Sequence, residues 1–134
     1  MRPFMIAAGT ALTLVTLAAC EPQDELSGRA DFRDYCAGCH GADATGGGPV
    51  ARALGLQTPD LTLIARREGG AFPFTRVMSV IDGYTRKDQH GSKMPAFGPL
   101  LDGPKVMLEY ENGAVTPTPA ALVALARYLE SIQR

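Results

Sequence analysis

Cys36-Ala37-Gly38-Cys39-His40 is the stretch from which the rest of this chain is read. Two thiols three positions apart on a helical turn can each form a thioether to one of the two vinyl groups of a haem. The histidine directly after the second thiol then points its imidazole at the iron, so the run reads as a covalent haem attachment site. A porphyrin held in this way supplies redox chemistry that no side chain can. The Cys-x-x-Cys spacing also serves zinc sites and thiol–disulfide exchange. Zinc needs two further ligands, and it could find them here only by recruiting both His90 and Cys20, the remaining histidine and cysteine. A thioredoxin-like pair belongs at a strand–helix junction in an α/β pattern, and the flanking sequence offers none.

Toward the N-terminus, Met1-Arg2-Pro3 is a short positively charged start. Phe4 to Ala19 follows as an uncharged, mostly apolar run ending in small residues, the pattern of a secretory signal peptide. The run is shorter than the roughly 20 residues a membrane-spanning helix wants. It ends Leu17-Ala18-Ala19-Cys20, which resembles the bacterial lipobox, where cleavage falls just before a cysteine that is diacylated. Ordinary cleavage near Ala19 is the alternative, and export is expected on either reading. Lipid on Cys20 would account for the odd cysteine, which would otherwise be a free thiol in an oxidising compartment. Several acyl chains would give a stable anchor, where one alone is marginal. The expected organisation is a lipoprotein-type signal peptide over 1–19, a lipidated N-terminus and polar tether over 20–26, and a single domain over 27–134.

The chain has 134 residues, and removing 1–19 leaves 134 − 19 = 115, enough for one domain. Loss of Arg2 turns 13 basic residues into 12 against 14 acidic, a formal charge of −2. Nothing in that balance points to nucleic acid. Gly (15) and Pro (10) are plentiful and Trp is absent, which suits helices joined by long loops. Such a core is marginal unless something large and apolar fills it.

The pattern is mostly helical. Gly28, Phe32 and Cys36 recur at i, i+4, i+8 and predict a helix from Ser27 to about Cys36. Phe74, Val77, Met78 and Ile81 predict a second, with Gly83 as its stop. Thr118 is read as the N-cap and Pro119 as the first residue of a last helix, along which Leu122, Leu125, Ala126, Leu129 and Ile132 form an apolar stripe. Lys105 to Tyr110 and Ala114 to Thr116 flank Glu111-Asn112-Gly113, a hairpin signal. Gly41 to Pro49 reads as a loop.

From Ser27 to the C-terminus the chain resembles a class I c-type cytochrome, carried by the attachment motif and its flanking helices. The resemblance implies an all-α cytochrome c fold over 27–134, with N- and C-terminal helices crossing around one covalent haem c and a small hairpin near 105–116. Gly28 and Phe32 stand where the family marks that crossing, and Tyr128 is the matching aromatic on the last helix. Cys36 and Cys39 match the thioether positions and His40 the proximal iron ligand. The family usually takes its sixth ligand from a methionine on a distal loop, often before proline, and Lys93-Met94-Pro95-Ala96-Phe97-Gly98 fits. Pro95 agrees with that reading, since it biases Met94 away from a helix interior. His90 competes as a strong iron ligand, against its plainer reading as a loop histidine. Met78 and Met107 are read as core. The family also takes a proline carbonyl to orient the proximal imidazole, and Pro49 is the match. Arg86, Tyr84, Arg66 and Arg67 are candidate propionate donors, and Phe97 a candidate for the haem edge.

What the resemblance implies is electron transport, with both axial positions filled and little room for substrate. The expectation is a periplasmic mono-haem carrier, held at the membrane by lipid on Cys20, or the cytochrome subunit of a larger redox complex. A membrane-bound dehydrogenase, quinol-oxidising complex or oxidase would be the partner. A haem-based ligand sensor or a peroxidase-like protein, with a displaceable sixth ligand, are the alternatives.

Overall fold

A computed structural model of the chain describes residues 23–85 and 94–134. The expected signal peptide over 1–19, Cys20, Arg86 and His90 lie outside these residues.

Two helices from opposite ends of the domain make its frame. Helix α1 spans Gln23–Asp31, beginning earlier than the apolar spacing predicts. It widens into a π turn at Phe32–Cys36, where the Ala37 N–H donates to the Phe32 carbonyl, and closes with the short α2, Ala37–His40. The expected single helix over 27–36 is therefore two segments, and α2 carries the helical run on beyond it. Gly41, at φ +81°, ends α2 by donating to the Ala37 carbonyl. Helix α3 is Pro49–Ala53. A 3-10 turn, Leu61–Leu63, leads into α4, Ile64–Arg67. Helix α5, Phe74–Asp82, stops at Gly83 in the left-handed conformation, as the sequence predicts. Helix α6 is Gly98–Leu101. Strands β1, Lys105–Glu109, and β2, Val115–Pro119, form an antiparallel hairpin, and α7 runs Ala120–Ser131.

Helices α1 and α7 cross at Gly28. A Cβ there would collide with the backbone carbonyl of Ala124, so only glycine lets the two backbones touch. One turn on, Phe32 is 2% exposed and its ring lies 5.4 Å from that of Tyr128. Burying a side chain of this size contributes about 2–3 kcal/mol. Helix α5 adds Val77, Met78 and Ile81 to the same core, with Leu101, Leu122, Leu125 and Leu129. The Arg127 guanidinium on α7 lies 4.3 Å from the centre of the Phe74 ring and ties α5 across.

Two expectations are corrected. Thr118 does not cap α7: it stays extended opposite Val106, buried, with its hydroxyl donating to the Thr116 carbonyl and 3.2 Å from the Tyr110 hydroxyl. The strand runs on to Pro119, which takes the N-cap position without a side-chain hydrogen bond. Met107 is not core either, being 67% exposed on the outer face of the hairpin, whereas Met78 is buried as expected.

Candidate functional site

Cys36 closes the π turn, and Cys39 and His40 stand on α2 directly after it, so one continuous piece of chain presents both thiols and the imidazole. Cys36 is buried. Burial, with the nearby negative charge of Asp31 and a smaller effect of Cys39, pushes its thiol up to about 12. A thiol so strongly protonated is a poor nucleophile for disulfide exchange, which needs the thiolate. Cys39 is only half-buried, and the two cysteines are free. Among the described residues no group of three or more His, Cys, Asp or Glu could hold a metal ion by itself.

His40 is 9% exposed, and burial lowers its pKa against a smaller raising effect of the Pro59 backbone carbonyl. It is therefore neutral at pH 7, the state in which imidazole ligates metals. Its Nδ1 is buried without a hydrogen-bond partner, because the Pro59 carbonyl, though near enough to act on the ring, does not reach hydrogen-bond geometry. Pro49, which the sequence offers for this role, instead starts α3 and is exposed. The carbonyl acting on the imidazole is ten residues further along, in Thr58-Pro59-Asp60.

The loop after the motif folds back on it and consumes its carbonyls. Gly46 N–H donates to His40 O at 2.7 Å, Gly48 N–H to Cys39 O at 2.8 Å, and the Thr58 hydroxyl to Cys39 O at 2.9 Å. Contact is so close at Gly48 that a Cβ would lie 2.6 Å from the Ala37 carbonyl oxygen and 2.8 Å from the Cys39 carbonyl carbon. Asp60 then turns the chain by accepting from the Thr62 N–H and hydroxyl, at 2.9 and 2.6 Å. The C-terminus holds this turn in place. Gln133 donates to the Leu61 carbonyl and accepts from the Ala65 N–H, and Arg134 N–H donates to the Thr62 carbonyl. The segment carrying Pro59 is thus fixed from both sides.

Met94 is half-buried and packs against the central core, and Pro95 after it is exposed. Its loop is anchored where Phe97 N–H donates to the Ile81 carbonyl at the end of α5, at 2.9 Å. The Phe97 ring lies 6.4 Å from that of Tyr35, the residue directly before Cys36. The methionine loop and the cysteine motif therefore meet, although 54 residues separate His40 from Met94. Leu61, Ile64, Phe72, Phe74, Met94 and Phe97 all pack on the core yet are only half covered. Such a rim, a neutral buried imidazole and a protonated thiol fit a large apolar ring attached through thioethers. Among the candidate propionate donors, Arg67 donates to the Asp60 carbonyl, and Arg66 and Tyr84 are exposed.

Pro59 was missed in the sequence. Its only signal was a second proline after the motif, flanked by the turn-formers Thr58 and Asp60. Compared with known proteins, the chain matches a family model described as Cytochrome c over residues 26–133. Neither a curated protein nor a solved structure gives a significant match.

Proposed function

The chain belongs to the cytochrome c family, whose domain implies a covalently bound haem c and electron transfer, and from that premise we propose that it is an exported, membrane-tethered mono-haem carrier of single electrons. Cys36 and Cys39 would hold the haem through thioethers, and His40 and Met94 would ligate its iron. When bound, the group supplies a one-electron iron couple. The residues of the chain do the rest. Burial keeps His40 neutral at a fixed helix end, and the nearby Pro59 carbonyl would accept from the imidazole, and so set its orientation, once a small shift brings the two into hydrogen-bond geometry. The Phe97–Ile81 hydrogen bond holds the methionine loop, which would keep reorganisation small on electron transfer. The half-covered apolar residues on the core would pack against such a ring.

The buried, neutral His40 beside two free thiols is the observation that carries this reading. Cleavage after residue 19 and lipid on Cys20 would hold the domain on the periplasmic side of a membrane. There a dehydrogenase, a quinol-oxidising complex or an oxidase would meet it, or keep it as a cytochrome subunit. Tethering raises effective concentration without any new contact surface. Optical spectra of the matured protein test the ligation. A sharp reduced haem c spectrum, with the weak far-red band of methionine-ligated ferric haem, is expected. Covalent haem lacking that band would move the sixth ligand to His90 or leave the position open, as in a sensor or peroxidase. No covalent haem at all would overturn the reading.

A further inference from the structure

The two margins of the β1–β2 hairpin are not alike. Tyr110 N–H donates to the Ala114 carbonyl at 2.9 Å and Ala120 N–H to the Pro104 carbonyl at 2.8 Å. In an antiparallel ladder hydrogen-bonded and non-hydrogen-bonded pairs alternate, so Val106–Thr118 and Leu108–Thr116 are the bonded pairs between them. Lys105, Met107 and Glu109 then turn their N–H and C=O groups away from β2. Among the described residues no backbone hydrogen bond reaches them from outside the hairpin. The equivalent residues of β2 are Val115, Pro117 and Pro119, and the two prolines have no N–H to offer. One margin is closed and the other open.

The open strand reads Lys105-Val106-Met107-Leu108-Glu109. It is charge-complementary to itself only when reversed. We propose that it pairs antiparallel with the same strand of a second copy, about a two-fold axis through Met107. In that register Lys105 faces the second copy's Glu109 at both ends, Met107 faces its counterpart, and Val106 faces Leu108. Each outward residue meets an outward residue, so every free N–H and C=O finds its partner. Parallel in-register pairing would instead set lysine against lysine. On the outer face Met107, 67% exposed, lies beside Pro117 and near Val115, 55% exposed, and the two copies would join these apolar patches around the axis. Lys105 now sits 3.8 Å from Asp102, both side chains more than half exposed, a contact weak enough to give way. Glu109 has no ion pair among the described residues. The interface is isologous, as two-fold dimers require.

The test is sedimentation velocity on the haem-loaded chain carrying Cys20→Ser, which removes any acyl group, with the haem spectrum reporting the fold of each variant. The expected result is a monomer–dimer equilibrium that moves with concentration. Met107→Pro deletes the central outward N–H without touching the ladder to β2, and should leave only monomer. Lys105→Glu places a carboxylate opposite the second copy's Glu109 at both ends and should weaken the dimer about tenfold. Adding Glu109→Lys to it should restore the wild-type equilibrium. The charge reversal reads the same surface should the proline disturb the hairpin. A chain that stays monomeric to ~1 mM, or pairs only with a strand of another protein, overturns the proposal. So does a dimer indifferent to the charge reversal, or one that the double reversal fails to restore.

Discussion

Burial at His40 keeps the imidazole unprotonated and leaves Nδ1 waiting for the Pro59 carbonyl. Met94, the proposed sixth ligand, stands on a loop pinned at Phe97, so removing its thioether should leave the frame intact. Met94→Ala is expected to lower the reduction potential by a sizeable part of the roughly 0.8 V that axial ligands span, and to open the iron to carbon monoxide. A titration and a carbon monoxide difference spectrum check both; unchanged ligation would remove Met94 from the site. Asp60 makes a pH prediction. Its hydrogen bonds from Thr62 hold its pKa below the ordinary 3.8, with Arg134 adding to the shift, so the unfolded chain binds the proton more readily. Stability is then fully present above pH ~4 and falls as pH drops through the unfolded value toward the folded one. Asp60→Asn should flatten that acid limb, seen in urea midpoints measured against pH. The attachment motif was legible because covalent chemistry demands those residue types at adjacent positions. Pro59 was not, since any residue can supply a carbonyl and only the path of the chain says which one does.

Among the elements, α5 and its Gly83 stop follow directly from a 3.6-residue spacing and a glycine free to take positive φ. The π turn at Phe32–Cys36 was hidden, because Gly28, Phe32 and Cys36 keep a helical spacing whether or not one turn is widened. The start of α7 misled for a different reason. Thr118-Pro119 has the composition of a helix start, but the ladder to β1 holds Thr118 extended, and pairing across the sheet overrides a local cap. The same ladder decides Met107, since a two-stranded ribbon covers one face only and the alternation puts this residue on the other. The Tyr110–Thr118 hydroxyl contact at 3.2 Å joins the hairpin across its covered side. Tyr110→Phe should cost about 1 kcal/mol, read as a lower urea midpoint with no change in the slope of the transition. A loss much below that would mean water serves Thr118 equally well.

The whole molecule is a helical frame on whose core several apolar side chains, Phe72, Phe74, Met94 and Phe97 among them, pack while staying half covered. Its proposed placement in the cell rests on Cys20. Cys20→Ser should shift the protein from membranes to the soluble periplasmic fraction, followed by haem staining; persistence in membranes would argue against a lipid anchor or for tight docking to a membrane partner. Pro117 and Pro119 have a consequence of another kind. A sheet built on β1 from two copies would present proline along both of its outer sides, so a third copy would find no row of donors to extend it. Assembly would end at a counted number of chains instead of growing without limit. That is the difference between a solute and a deposit.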